Sequence, residues 1–357
     1  VRSTTRPNIR RWLAAVAALV SSLVLLIGVS APAQAAETSW ADVGNGARVL
    51  SGVYSVTVGG ATYEVARGTD NNVWFRYNNG SWHPLGGDNS ARTVSPPRIV
   101  EFPPGQVMAL LRGLDGEIWY SRATNGPANF WAPWTRIGSG ARAIGSPLAV
   151  LITPNVLHID VPNDGRFVSY TGLYSFDGVL SQSSSGWRVS EYARLSSDNA
   201  DIEGDSSLVV YNTGYGRTMI SDFYVGTDGH IWEVTEYSDG APASVRRISE
   251  TAVCDSGVAA ARLGNQTTVA TPGQPGFADQ QRVLIACIGT DGNVWTSQSS
   301  DGGITFGNFS RPSGALAPST TTPAISPSGT SWTLTISWNG SRSTLFPDHA
   351  AVGKRIS

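Results

Sequence analysis

A six-bladed β-propeller, each blade a sheet of four antiparallel strands, is the fold this 357-residue chain predicts. Three observations lead there. One turn signature recurs along the chain, short apolar runs flank its copies, and no stretch past residue 35 holds a sustained helical period. The clearest copy is Arg112-Gly113-Leu114-Asp115-Gly116-Glu117-Ile118-Trp119, entered by the run Val107 to Leu111 and left by Ile118 to Tyr120. Gly supplies the positive φ of a tight hairpin, and Asp bonds its own backbone there.

The other copies set the period. Arg67-Gly68-Thr69-Asp70-Asn71-Asn72-Val73-Trp74 precedes it; Gly226-Thr227-Asp228-Gly229-His230-Ile231-Trp232 and Gly289-Thr290-Asp291-Gly292-Asn293-Val294-Trp295 follow. Phe176-Asp177-Gly178-Val179-Leu180 and Trp338-Asn339-Gly340-Ser341 are degenerate copies. The turn positions 70, 115, 177, 228, 291 and 339 lie 45 to 63 residues apart. Four short strands in a period of about 40–50 residues is the plan of a propeller blade.

In chain order, residues 1–35 read as a secretory signal. Arg2, Arg6, Arg10 and Arg11 form a basic start, an apolar run spans Trp12 to Ala31, and Ala33-Gln34-Ala35 is a small-residue cleavage site. An uncleaved membrane anchor is the alternative, since the run is long enough to span. A single propeller domain is expected over 36–357. The unit around Asp115 displays the plan most fully: Ser95 to Val100, Gln106 to Arg112, Glu117 to Arg122, then Trp131 and Trp134 to Gly138 as the closing strand. The sixth unit, about 322–346, has three strands and then runs short. Ser39-Trp40-Ala41-Asp42-Val43-Gly44 resembles the closing strands Trp82 to Gly86 and Trp134 to Gly138. Pairing it with the sixth blade closes the ring without an open sheet edge. Val352 to Ile356 competes for that slot, and Trp40 decides for the N-terminal segment.

Composition suits an exported all-β protein. Without the four signal arginines, 21 of the 25 basic residues face 27 acidic ones, a net charge near −6, and Lys354 is the only lysine. That excludes a nucleic-acid partner, and an anionic membrane once the signal is removed. The 40 glycines and 20 prolines signal many short turns, and 41% apolar residues suffice for a large core. Cys254 and Cys287 are the only cysteines, and an isolated pair in an exported chain is expected to form one disulfide. A metal site would need four closely spaced ligands, and no His stands near either Cys. No cofactor motif is present.

Ser-Pro, an apolar second strand, Arg-Gly-x-Asp-x-x-apolar-Trp and a final Trp-x-x-apolar-Gly-Gly together resemble the repeat of bacterial fucose-binding propeller lectins of the PLL type. The resemblance covers residues 51–138 well, blades four and five in part, and blades three and six poorly. It implies a secreted, usually seven-bladed propeller that holds fucose and methylated sugars in clefts between blades; this chain has six turns. Separately, Ser299-Ser300-Asp301-Gly302-Gly303-Ile304-Thr305-Phe306 resembles the Asp-box of sialidases, with Phe in the Trp place. That box is a folding turn between third and fourth strands, so it points to a propeller more than to hydrolysis.

A sialidase-like site would need arginines around a carboxylate, with a Tyr nucleophile and carboxylate partners. Arg98, Arg112, Arg166 and Arg217 with Glu101, Asp160 or Asp222 are candidates, but no Arg-Ile-Pro motif accompanies them. Gly-x-Ser-x-Gly, His-Glu-x-x-His and a phosphate loop are missing. His83, His158, His230 and His349 fall in different units, as surface or turn residues. No catalytic residue is assigned.

Binding is the better reading, because Trp stacks on the apolar face of a sugar ring while polar neighbours bond its hydroxyls. Trp74, Trp119, Trp232 and Trp295 hold one repeated position and have inter-blade core as their competing role. Trp82, Trp131, Trp134, Trp187 and Tyr120 reach toward clefts with a similar alternative. Arg67 and Arg112 are candidate donors to sugar hydroxyls, or structural partners of Asp70 and Asp115. The expected site pairs blades one and two and uses Trp82, Trp119, Tyr120 and Trp134 with Arg67 or Arg112. The expected partner is a neutral, fucose-type glycan or glycoconjugate. A scaffold binding a protein partner, suggested by the insert Thr271 to Gln281, and a glycoside-directed enzyme are the alternatives.

Overall fold

In a computed structural model the chain is an all-β propeller of antiparallel sheets. The structure describes residues 40–86, 91–123, 131–137, 143–153, 156–163, 166–173, 187–191, 202–212, 218–237, 244–255, 257–263, 282–312, 321–328, 331–338 and 351–356. Residues 1–35, read above as a secretory signal, the turns at Asp177 and Asn339, Arg217, His349 and the insert Thr271–Gln281 lie outside the described residues. So do the side chains of Arg166 and Trp187.

Strand β1 (Ala41–Asp42) comes first. Blade 1 is β2 (Tyr54–Val58), β3 (Ala61–Arg67), β4 (Val73–Tyr77) and β5 (His83–Pro84). Blade 2 is β6 (Arg98–Glu101), β7 (Val107–Arg112), β8 (Ile118–Ala123) and β9 (Thr135–Arg136). Blade 3 is β10 (Leu148–Thr153), β11 (Val156–Asn163), β12 (Arg166–Leu173) and β13 (Trp187–Glu191). Blade 4 is β14 (Ile202–Asn212), β15 (Thr218–Gly226), β16 (Ile231–Tyr237) and β17 (Ser244–Arg247). Blade 5 has β18 (Ala259–Arg262), β19 (Val283–Ile288) and β20 (Val294–Ser299). Blade 6 joins β21 (Ala324–Ser328), β22 (Ser331–Ser337) and β23 (Ala351–Ile356) to β1.

A blade covered on both faces by its neighbours needs apolar side chains on both, and the second strands β7 and β19 are apolar without alternation, whereas β22 (Ser331–Ser337) alternates polar and apolar residues. All six residues of β19 are buried, as are Val107 to Leu111 of β7. The core is therefore layered between blades: Leu284, Trp332 and Leu334 between the fifth and sixth, Leu110 and Ile159 between the second and third. Innermost strands touch in the order β2, β6, β10, β14, β18, β21, and β2 returns to β21. Hydroxyls complete that last junction. Thr335 Oγ1 accepts from Val53 N–H at 2.8 Å and donates to Val53 O at 2.9 Å, and Ser337 Oγ donates to Val49 O at 2.6 Å.

Two expectations change. The sixth blade does not complete three strands within 322–346: its third strand is β23, paired from Trp332↔Ile356 to Ser337↔Ala351. The N-terminal strand takes the fourth slot as expected, with Ala41 opposite Gly353. The two terminal segments thus share one sheet rather than compete, because each satisfies a different edge. Among the described residues blade 5 has three strands where four are expected. Its outer segment meets β20 through the bridge Thr296↔Ser310, the bond from Gly307 N–H to Gln298 O and the bond from Ser297 Oγ–H to Gly307 O at 2.6 Å, without forming a ladder. The preceding chain is spent on a turn. Asp301 there accepts from Thr305 N–H at 2.9 Å, Ser299 Oγ accepts from Gly303 N–H at 2.9 Å, and Gly302 and Gly303 have φ of 76° and 81°.

The repeated signature has a local physical cause. Asp70, Asp115, Asp228 and Asp291 each accept the backbone N–H two residues on, at 2.9–3.0 Å. Each also accepts the indole Nε1–H of the Trp four residues on. The first glycine of the signature makes room for both. A Cβ on Gly113 would stand 2.4 Å from Asp115 Oδ1 and 3.0 Å from Trp119 Nε1. Gly113→Ala is accordingly expected to cost about 1–3 kcal/mol, read by urea unfolding. An unchanged midpoint would mean that the Asp–Trp contact does not hold this turn.

Candidate functional site

Two clefts open beside this Asp–Trp pair, at the same place on blades 1 and 2. The first, of about 660 Å³, is lined by Arg48, Asp70, Trp74, Asn79 and Trp82 among others. The second, of about 360 Å³, is lined by Arg92, Leu114, Asp115, Trp119 and Trp134 among others. The arginine in each comes from the segment linking one blade to the next. Thr69 N–H donates to Arg48 O at 3.4 Å, and Asn72 bridges Arg92. Both arginines are exposed, and neither side chain has a hydrogen-bond or ionic partner among the described residues. Partial burial works to raise the Asp70 carboxyl, but hydrogen bonds from the Trp74 indole and from Asn72 outweigh it and hold the group below its usual range. Each cleft thus offers an aromatic face, a carboxylate acceptor and a free guanidinium donor. That is the equipment for a hydroxylated ring.

Blades 4 and 5 fill the same place from within. Arg247 donates to Asp228 at 2.9 Å with its Cζ 5.2 Å from the Trp232 ring centroid. Arg311 donates to Asp291 at 2.5 Å with its Cζ 5.1 Å from the Trp295 centroid. The guanidinium lies over the ring face and neutralises the carboxylate. Burial works to raise Asp291, but the bonds from Asn293, Trp295 and Arg311 prevail and take it down to about 2. The free guanidinium of the first two clefts has become an internal plug.

No family model matches the chain, and no curated protein does. Solved structures do. AofleA from Arthrobotrys oligospora superposes with a TM-score of 0.52 at 11% identity, over 86% of this chain and 85% of that one. SapL1 lectin in complex with alpha methyl fucoside gives 0.54 at 14% identity, over 83% and 90%. Trypanosoma rangeli sialidase in complex with the inhibitor DANA gives 0.50 at 11% identity, over 87% of this chain and 55% of that chain. The likeness is one of fold.

The residues singled out by sequence separate in space. Trp82 lines the first cleft with its Nε1–H on Gly44 O at 2.9 Å, while Trp119 and Trp134 line the second. They are therefore not walls of one site. Tyr120 is 8% exposed and belongs to the core between blades 2 and 3, on the opposite face of β8 from Trp119. Arg67 donates to Asn71 Oδ1 and, at 2.8 Å, to Val94 O; Arg112 donates to Ile144 O at 3.2 Å. Neither bonds its turn carboxylate. Both arginines instead tie a blade to the linker that follows it. Trp131 packs on Phe75, with centroids 5.5 Å apart.

The carboxylates considered for catalysis are internal. Asp160 and Asp222 are 0% and 1% exposed, and His158 Nε2 lies 2.9 Å from Asp160 Oδ2. Burial, then the charge of Asp160, pushes the Asp222 carboxyl well up. Arg98 and Glu101 face the propeller axis, and Arg112 is the staple just described. Cys254 and Cys287 form a disulfide with Cα atoms 6.0 Å apart, joining the segment before β18 to β19.

Sequence reasoning missed Arg48 and Arg92. A signal for them was present: Ala47-Arg48-Val49-Leu50-Ser51 and Ala91-Arg92-Thr93-Val94-Ser95 repeat, with the serine that opens each blade as anchor.

Proposed function

We propose that the protein is a secreted carbohydrate-binding propeller that takes neutral glycans, of fucose type, in the clefts of blades 1 and 2. One observation carries the reading. The same Asp–Trp pair stands open beside a free arginine in two blades and is covered by an internal arginine in two others. An aromatic face with both a donor and an acceptor at its edge suits a ring bearing hydroxyls. Each open cleft holds one Arg and one Asp, so neither has the excess positive charge an anionic sugar would require. The fucose class rests on the repeat resemblance and on the fold shared with a lectin solved with alpha methyl fucoside. Secretion rests on the N-terminal signal pattern and agrees with the disulfide.

A glycan array followed by calorimetric titration with alpha methyl fucoside tests the proposal. The expected result is saturable binding with two equivalents per chain and no release of product. Silence on a broad array, together with sugar released from a sialylated glycoside, would replace the lectin reading with an enzymatic one.

A further inference from the structure

The two open clefts share a plan but differ in chemistry. The residue before the turn aspartate is threonine in blades 1, 4 and 5, as Thr69, Thr227 and Thr290. In blade 2 it is Leu114. Thr69 lines the blade 1 cleft and Leu114 the blade 2 cleft, each next to the carboxylate that serves as acceptor. The Thr69 hydroxyl has no hydrogen-bond partner among the described residues. Leu114 is 59% exposed, so its methyl groups stand in water at the cleft instead of filling a blade junction.

The neighbours follow the same division. Among the described residues lining the blade 2 cleft, only Arg92 and Asp115 carry a charge, a hydroxyl or an amide, and Leu111 adds aliphatic surface beside Leu114. The blade 1 cleft has Arg48 and Asp70 in those places, together with Thr69 and the exposed Asn45, Asn79 and Ser81. It is also the roomier of the two, at about 660 Å³ against about 360 Å³.

A sugar ring laid on the indole, with hydroxyls on the Arg and Asp, carries a further substituent at its edge. A hydroxyl pressed against Leu114 gives up water and gains no partner. A methyl group there covers apolar surface that water otherwise meets. Beside Thr69 a hydroxyl keeps a partner, and the wider blade 1 cleft leaves room for water around it. We propose that Leu114 makes the blade 2 cleft selective for a deoxy sugar, one with a methyl group where its parent sugar has a hydroxymethyl, whereas the blade 1 cleft accepts both. This rests on the glycan reading and assigns its two sites different ligand ranges.

Calorimetric titration with a matched pair tests it: alpha methyl fucoside, and the alpha methyl galactoside of the same hand, which adds only a hydroxyl on C6. The fucoside should fill two equivalent sites per chain, while the galactoside fills one and binds the other about tenfold more weakly. Trp119→Ala leaves the blade 1 cleft to be read alone, and there the two sugars should bind within about threefold of each other. Trp74→Ala isolates the blade 2 cleft, where the preference for fucoside should be about tenfold. In the otherwise natural chain, Leu114→Thr should bring the galactoside to two sites of similar affinity, and Thr69→Leu should leave it none of the tighter kind. Both positions are exposed, so these two variants keep the fold and decide the matter if a tryptophan variant does not. Fucoside binding with one and the same preference in both clefts would overturn the proposal, as would a preference that survives Leu114→Thr. If the natural chain ignores the fucoside altogether, the glycan reading itself fails and this proposal with it.

Discussion

Replacing Trp74 and Trp119 together with alanine is expected to abolish glycan binding while the propeller still folds. Both rings are only half-buried, and each lines its cleft. Removing an aromatic anchor from the centre of a binding site costs about 2–4 kcal/mol, or roughly 30- to 1000-fold in affinity. The single variants make the sharper measurement. Trp74→Ala should reduce the titration from two equivalents to one, with the remaining affinity that of the blade 2 cleft. Trp→Phe at either position keeps a ring face but loses the Nε1–H bond to Asp, so it should bind more weakly than the natural chain and more strongly than Ala. Unchanged stoichiometry in the double alanine variant would place the glycan elsewhere.

Loss of the disulfide is expected to have the largest effect on stability. A Cys254→Ala, Cys287→Ala variant removes a link across a sequence separation of 33 residues. Chain-entropy bookkeeping assigns a loop of that length about 3–4 kcal/mol. The two half-cystines also belong to the apolar layer between blades 4 and 5, with Phe223, Ile231 and Ile285, so their removal loosens that packing as well. Denaturant unfolding of the oxidised natural chain against the variant measures the loss. Glycan binding should persist below the transition, because both clefts lie on blades 1 and 2. A midpoint shift below about 1 kcal/mol would mean that the unfolded chain gains little freedom from the missing link.

What could be read from residues alone differs from site to site. The glycine, aspartate and tryptophan of each turn were legible because they interact within eight residues, through backbone geometry that every copy repeats. Arg67 and Arg112 stand beside the same turns, yet their guanidiniums leave the blade for carbonyls 27 and 32 residues ahead. No local pattern encodes that reach. Tyr120 follows Trp119 in sequence and so faces the other side of its strand; which side is core depends on the neighbouring blade.

By itself, the sequence determined the all-β class, the propeller plan, the cysteine pair and the use of the N-terminal strand to close the ring. These follow from short-range periodicity, from a turn that only Gly and Asp satisfy well, and from the need to leave no sheet edge unpaired. The tertiary structure alone decided that β23 joins β1 in one sheet, that blade 5 shows three strands among its described residues, and that Trp82 and Trp119 belong to different clefts. It also decided which of four equivalent Asp–Trp pairs stand open. That outcome turns on whether Arg247 or Arg311, from elsewhere in the same blade, lies across the ring. Such contacts join residues 15 to 20 positions apart through the curvature of a sheet, which periodicity does not record.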